Sequence, residues 1–332
     1  MTLSALIPEF LTLGTRDSQL AMVQTNLVLD AIEARLGTAC RNTVQVVSSK
    51  AMGDRELSVP LATLGVKTGQ YGVFVKELEQ ALLKREIDLA VHSMKDMPSA
   101  LPDGLIVSPV LERDSVADVL IVQNRSDSFW TLPAGAVVGT SSLRRTAQLK
   151  RLRADIQVVS IRGNVQTRLQ KLDDGMVDAL VLAEAGVNRL GLQAQVSYRF
   201  NPETELLPAP CQGVLGVETR VGDETIQPLL AVLHNPTLAK VVWMERTVMQ
   251  LLEGGCQLPL GAYAQYNPEE NTIALQVQLL SPINVALVAE GRLTLSSTET
   301  EASWLPLLTQ FCHQLLASGG DTIKQQVRLL QQ

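Results

Sequence analysis

The sequence predicts an α/β protein: two similar doubly wound units followed by a smaller C-terminal α+β unit. Three observations carry this. Short apolar runs alternate with amphipathic stretches through the first half, the pattern of parallel strands joined by helices. The alternation restarts near residue 119. Beyond Gly254-Gly255 it gives way to strand-like runs separated by turn residues, which read as an antiparallel meander. A chain of 332 residues accommodates two or three domains. With 46% hydrophobic and 19% charged residues it can bury a sizeable core. At 4% aromatics that core must rest on Leu, Val, Ala and Ile.

Leu11 to Gly14 is strand-like. Arg16 to Leu36 reads as a helix, because Leu20, Val23, Leu27, Ala31 and Ala34 fall on roughly one face. Val44 to Val47 is a second strand, Phe74 to Arg85 a helix, and Ile87 to Val91 a buried strand. In the second unit Val119 to Val122, Ala136 to Gly139, Ile156 to Ile161 and Ala179 to Leu182 are strands. Ser142 to Arg153 and Val165 to Leu172 are helices, the first with Ser141 or Ser142 as its N-cap. Pro202 to Pro210 is an extended connection, and Val214 to Glu218 is a strand placed to return to the first unit. Thr237 to Leu252 is a helix stopped by Gly254-Gly255. Ala262 to Tyr266, Ile273 to Leu279 and Val285 to Leu295 make the meander, and a helix follows. No internal repeat stands out. Two α/β units side by side imply a cleft at the C-terminal ends of their strands, the usual ligand site of this class.

Composition narrows the function. A net charge of −6 argues against a general nucleic-acid binder while leaving room for a local basic cleft. No apolar run approaches the roughly 18 residues of a membrane span. The first residues lack a basic n-region and a long apolar h-region, so no signal peptide is expected. The four cysteines, Cys40, Cys211, Cys256 and Cys312, form no CxxC pair, and reduced thiols in the cytoplasm fit them best. The histidines His92, His234 and His313 are far apart, and no metal site is expected.

Arginines and hydroxyls gather where strands end. Gly139-Thr140-Ser141-Ser142-Leu143-Arg144-Arg145 joins a strand to a helix, where free N–H groups, hydroxyls and two guanidiniums bind anions. Arg162-Gly163-Asn164 with Arg168 repeats the theme after the next strand, and Gly14-Thr15-Arg16-Asp17-Ser18 after the first. Each alone reads equally as a solvated helix start. Three together imply a ligand with several carboxylates or phosphates. Val91-His92-Ser93-Met94-Lys95-Asp96-Met97-Pro98 ends a strand at the cleft edge. Asp96 there can act as general acid or base, stabilise a cation, or merely cap the loop. His92 reads as a core histidine bonded to backbone in preference to a catalytic group. Cys256 follows a glycine pair that permits close approach of a bulky group, although a lone cysteine is otherwise a small buried hydrophobe.

Taken in order, these segments resemble the hydroxymethylbilane synthase family, also called porphobilinogen deaminases. The matching set is Gly14 to Ala21, Phe74 to Glu79, His92 to Asp96, Gly139 to Arg145, and Arg162 to Val165 with Arg168. Leu190-Gly191, Leu207-Pro208-Ala209, Gln212-Gly213 and Glu253-Gly254-Gly255-Cys256 complete it, covering roughly residues 11 to 262. The resemblance implies three domains: 1–113 with 213–234, then 118–207, both built like periplasmic binding proteins, and 236–332. It implies one covalent dipyrromethane cofactor per chain, on the thiol of Cys256. Four porphobilinogen units are added with loss of ammonia, and water releases 1-hydroxymethylbilane. Asp96 is the implied catalytic residue. The implied cofactor and substrate contacts are Arg16, Ser18, Lys95, Thr140, Ser141, Ser142, Arg144, Arg145, Arg162, Gly163, Arg168, Arg189 and Gln212. The partners are porphobilinogen and polypyrrole intermediates, with no nucleic acid or membrane, and the chain is expected to be a cytoplasmic monomer.

Three features depart from the family pattern. Leu64 to Gly72 is longer than the usual segment, and Tyr71 stands where a lysine is common. The family's loop here is a mobile lid, so the resemblance makes Lys67, Tyr71 and Phe74 the lid candidates, with Lys67 as the substitute lysine, and the two departures count against lid behaviour. Cys211 replaces a small residue before Gln212-Gly213 and reads as a packing substitution. Asp54 is the matching acid in a looser Ser48 to Asp54 stretch. A solute-binding protein without chemistry fits two lobes but not the third unit or the Gly-Gly-Cys segment. A phosphate-handling transferase lacks a P-loop and an acidic metal cluster.

Overall fold

The computed structural model describes residues 10–49, 75–123, 128–253 and 258–330. Cys256, Asp54 and the lid candidates Lys67, Tyr71 and Phe74 lie outside the described residues. In chain order the strands are β1 (Leu11–Arg16), β2 (Val44–Ser49), β3 (Leu89–Ser93), β4 (Leu105–Val110), β5 (Asp118–Val122), β6 (Val137–Gly139) and β7 (Gln157–Val159). There follow β8 (Ala179–Ala183), β9 (Tyr198–Arg199), β10 (Leu215–Arg220), β11 (Leu260–Asn267), β12 (Thr272–Leu280) and β13 (Val288–Ser296). The helices are α1 (Gln19–Leu36), α2 (Lys76–Leu83), α3 (Leu143–Leu152), α4 (Val165–Asp173) and α5 (Glu184–Arg189). After them come α6 (Gln227–Leu233), α7 (Pro236–Leu251), α8 (Glu301–Leu315) and α9 (Asp321–Leu330).

Two five-stranded sheets share one plan. Their orders are β2-β1-β3-β10-β4 and β7-β6-β8-β5-β9. In each, the first three strands are parallel and the fourth runs antiparallel to both of its neighbours. That fourth strand lies next to a crossing: β5 opens the second sheet after the chain leaves β4, and β10 brings it back from β9. The protein is thus two doubly wound α/β units with a smaller C-terminal α+β unit, the fold class expected.

The two plans agree in detail. Asp88 Oδ2 accepts the N–H of Thr12 at 2.9 Å, and Asp178 Oδ2 accepts that of Val137 at 2.7 Å. Each carboxylate thereby pins the start of a third strand to the start of a first. Gly14 and Gly139 occupy matching places in β1 and β6. A Cβ on Gly14 would lie 2.4 Å from Ile87 Cδ1, and one on Gly139 2.8 Å from Ile161 Cγ1, so packing on the sheet excludes a side chain at both. Ser18 caps α1 by accepting Ala21 N–H at 3.3 Å, and Ser142 caps α3 by accepting Arg145 N–H at 3.4 Å.

The third sheet, β11-β12-β13, is an antiparallel meander. It shares a core with α7 and α8, built around Met244, Val248, Ile273, Val277, Trp304 and Leu308. The C-terminal helix expected from sequence is two helices, α8 and α9, broken at Gly319, whose φ of 131° no L side chain adopts readily. The last meander strand begins at Val288 rather than Val285, and the strand expected over Ile156 to Ile161 spans only Gln157–Val159. Strands β4 and β9 and helices α5 and α6 were not foreseen. Strand β4 contains Pro109, which fits because β4 is a sheet edge, where a missing N–H is tolerated.

Candidate functional site

One cleft opens where the strands of both parallel sets end. The first unit supplies Arg16 from the end of β1, Ser18 at the start of α1, and Lys95 and Asp96 just after β3. The second supplies Thr140, Ser141, Ser142, Arg144 and Arg145 after β6, and Arg162, Gly163 and Arg168 after β7. Gln212 lines it from the returning segment before β10. Among the described residues its wall carries six cationic side chains and a single carboxylate. A second cavity, between α3 and the third sheet, sets Arg151 and Arg292 against Glu203, Glu205 and Glu290, so it lacks such an excess.

Local structure explains each position. Met94, Lys95 and Asp96 form a tight turn after β3, with Met94 N–H bonded to Val214 C=O at 3.0 Å and Met97 N–H to Met94 C=O at 3.2 Å. Arg246, on α7, donates to Pro98 C=O at 3.0 Å and holds the far side of that turn. Lys95 is half-buried, and its Nζ lies 3.5 Å from Gln212 Oε1. Burial pushes its pKa down to about 8, against the pull of Asp96. Gly163 has a φ of 115°, and a Cβ there would meet the Thr167 side chain at 2.7 Å. Arg168 donates to Gly163 C=O at 2.8 Å, which sets its stem along this turn.

Arg144 and Arg145 are buried, and their forks are committed in part to the protein. Arg144 donates to Asp118 Oδ2 at 2.7 Å and to Leu207 C=O at 2.7 Å. Arg145 donates to Asp118 Oδ1 at 2.7 Å and to Val181 C=O at 3.0 Å. The Nε–H of each is buried without a partner. Burial by itself would raise the Asp118 pKa, but the two guanidiniums overrule it and hold the carboxyl far below the usual range. Asp118 was missed from sequence. Its signal was an acid opening the otherwise apolar strand Asp118-Val119-Leu120-Ile121-Val122, since a buried charge requires a partner.

Arg189 does not reach the cleft wall. Its Nε lies 3.2 Å from Asp114 Oδ2, and its Nη2 donates to Gly213 C=O at 2.8 Å. It ties the two crossing segments together, so its charge is already matched. His92 is buried as expected, but its Nε2 sits 3.0 Å from Glu218 Oε2 rather than on backbone. Cys211 is buried with a φ of 60°, and its N–H bonds Glu245 Oε2 at 2.5 Å. No group of His, Cys, Asp and Glu able to hold a metal occurs among the described residues. No helix among them is long and apolar enough to cross a membrane.

The family models and the curated relatives agree on one family. A family model described as "Porphobilinogen deaminase, dipyromethane cofactor binding domain" matches residues 11–228, and "Porphobilinogen deaminase, C-terminal domain" matches 239–301. A porphobilinogen deaminase of Desulforudis audaxviator is 51% identical over 254 residues, 76% of this chain and 79% of that protein. One from Geobacter metallireducens is 43% identical over 96% of this chain and 95% of its own length. One from Brevibacillus brevis is 40% identical over 95% and 97%. Among solved structures, the periplasmic VFT2 domain of Bordetella pertussis BvgS aligns loosely, with a TM-score of 0.38 at 15% identity over 68% of this chain and 86% of that one.

Proposed function

The chain belongs to the porphobilinogen deaminase family, and from that premise we propose how its own residues divide the work. The protein is a hydroxymethylbilane synthase, a transferase of tetrapyrrole biosynthesis. It joins four porphobilinogen molecules with loss of ammonia and releases 1-hydroxymethylbilane by hydrolysis. Its dipyrromethane cofactor, when bound, supplies the pyrrole carbon on which the chain starts.

The observation that carries the residue assignment is the charge of the cleft. Every pyrrole unit brings an acetate and a propionate, and six cations face one carboxylate. The unpartnered Nε–H donors of Arg144 and Arg145 fit the same account, as does a lysine whose pKa burial lowers to about 8. Arg16, Arg144, Arg145, Arg162 and Arg168 bind the carboxylates of cofactor and substrate as charge-assisted forks. Lys95 joins them, because an incoming carboxylate favours its protonated form. Ser18 and Ser142 cap helices with their oxygens, which leaves each O–H as a donor toward the cleft. Thr140, Ser141, Gly163 and Gln212 complete the wall.

Asp96 is the catalytic residue of this reading. When ammonia leaves porphobilinogen, positive charge spreads over the ring and its nitrogen. The Asp96 carboxylate beside that nitrogen stabilises the charge and holds or returns the N–H proton. Arg189 is reassigned from ligand contact to support of the crossing segments.

Cys256 carries the cofactor. Burial pushes the Cys211 and Cys312 thiols up to about 12, far from the reactive thiolate, which supports this choice. The domain division at 1–113 with 213–234, 118–207 and 236–332 is supported by the three separate sheets. Free, buried Cys40, Cys211 and Cys312 support a reducing cytoplasm.

Intact-mass spectra test the attachment. The protein should exceed its sequence mass by two linked pyrrole units, and Cys256→Ser should not. Cys40→Ser, Cys211→Ser and Cys312→Ser should keep the adduct. An adduct on another cysteine, or porphobilinogen bound without ammonia release, would overturn the reading.

A further inference from the structure

Asp118 stands behind the cleft and outside the roles assigned above. It opens β5, immediately after the chain has crossed from the first sheet to the second, and it is fully buried. One carboxylate serves three donors. Its Oδ2 takes Arg144 at 2.7 Å, and its Oδ1 takes Arg145 at 2.7 Å and Gln212 Nε2 at 2.9 Å. Gln212 lies on the opposite crossing, and its Oε1 accepts from Lys95 Nζ at 3.5 Å. A single buried anion is therefore bonded to both arginines of the second unit and, through one amide, linked to the lysine of the first.

We propose that Asp118 is a positioning residue for the carboxylate grip, locking both arginine forks and holding their excess charge to a single unit. Two guanidiniums side by side in a buried setting repel each other and would need two anions. With Asp118 between them they need one more. A grip limited in this way binds a carboxylate yet lets it be exchanged, which a chain growing ring by ring inside one cleft requires. The proposal rests on the catalytic reading above for its meaning, though not for its measurement.

Among the described residues, the charged groups that act most on Lys95 are Asp96, Arg145, Asp118 and Arg144. Asp118 favours its ammonium, and the two arginines oppose it. The Lys95 titration can be followed by NMR of ¹³C-methylated lysines in the resting holoenzyme, alongside KM for porphobilinogen. Asp118→Asn should move the Lys95 midpoint down by about one pH unit and raise KM about tenfold. Arg144→Gln should move the midpoint up, and the double variant should return it close to wild type. If Asp118→Asn does not fold, the double variant must still titrate below Arg144→Gln. Variants that change melting temperature but leave both midpoint and KM at wild-type values would overturn the proposal. Because the titration needs no turnover, a wild-type protein that released no ammonia would remove the catalytic reading while the midpoints still judged Asp118.

Discussion

The first and second sheets share strand order, a pinning aspartate, a compact glycine and a serine cap, yet they present different chemistry to the cleft. At the end of β3 the first unit turns through Met94, Lys95 and Asp96. At the matching place after β8 the second unit begins α5 and offers Ala183 and Gly186 instead. Beyond the first strands the balance reverses. The first unit places Arg16 there, and the second places Arg144 and Arg145 on α3, with Arg162 and Arg168 following β7. A shared frame thus aims two unlike sets of strand ends at one cleft, one carrying Arg16, Lys95 and Asp96 and the other carrying four arginines.

This division predicts different failures on the two sides. The largest effect is expected in the first unit. Asp96→Asn keeps size and a hydrogen-bond acceptor but loses the charge, and should cost about a hundredfold to a thousandfold in rate with little change in melting temperature. Asp96→Glu should fall between. Quenched-flow turnover of porphobilinogen with mass spectra of intermediates would show the order, and wild-type turnover by Asp96→Asn would demote it to a loop residue.

In the second unit, Arg145→Leu should weaken carboxylate binding by about 1.5–3 kcal/mol, roughly tenfold to a hundredfold. Intact masses should then show apoprotein or stalled short chains. Full cofactor loading with normal turnover would break the division of labour.

A smaller effect concerns pH. Burial lowers Lys95 from its ordinary 10.5 to about 8, so between those values the ligand-free protein lacks a proton that a bound carboxylate restores. Binding therefore takes up a proton in that window, and affinity falls as pH rises above 8, by up to about tenfold per unit. Calorimetry with a porphobilinogen analogue lacking the aminomethyl group, in two buffers near pH ~8.5, reads that uptake directly. Equal heats in both buffers would separate Lys95 from the grip.

The smallest effect tests the shared frame itself. Helices α2 and α4 end in the same turn, with Glu86 N–H on Ala81 C=O at 2.9 Å and Met176 N–H on Lys171 C=O at 3.0 Å. The left-handed residue is Arg85 (φ 60°) in one and Gly175 (φ 72°) in the other. Arg85→Gly should stabilise by at most about 1 kcal/mol and Gly175→Ala should destabilise by about 1–2 kcal/mol, read by urea unfolding. A destabilising Arg85→Gly or a stabilising Gly175→Ala would show that the two turns are not equivalent.

Much of the site was legible because strand-end segments are contiguous. The runs from Gly139 to Arg145 and from His92 to Asp96 set hydroxyls, guanidiniums and a carboxylate on neighbouring residues, so they can be read along the chain. The restart of the alternation was legible but the residue-by-residue match of the two units was not, since a shared frame needs only an apolar pattern with a few residues such as Gly14, Gly139, Asp88 and Asp178 at fixed points. Short elements such as β9 were lost for a related reason: two residues hold no periodicity.

By itself the sequence determined the alternation of strands and helices, the strand-end arginines and the acid at Asp96, because these follow from local pattern and residue type. Which charges remain available was decided only by the tertiary structure. Arg189 and Arg144 look alike along the chain, but one meets Asp114 beside Gly213, and the other shares Asp118 with Arg145. The reason is physical. A buried charge is governed by whatever lies within a few ångströms, where the dielectric is low, and Asp118 lies 26 and 27 residues from the arginines it holds.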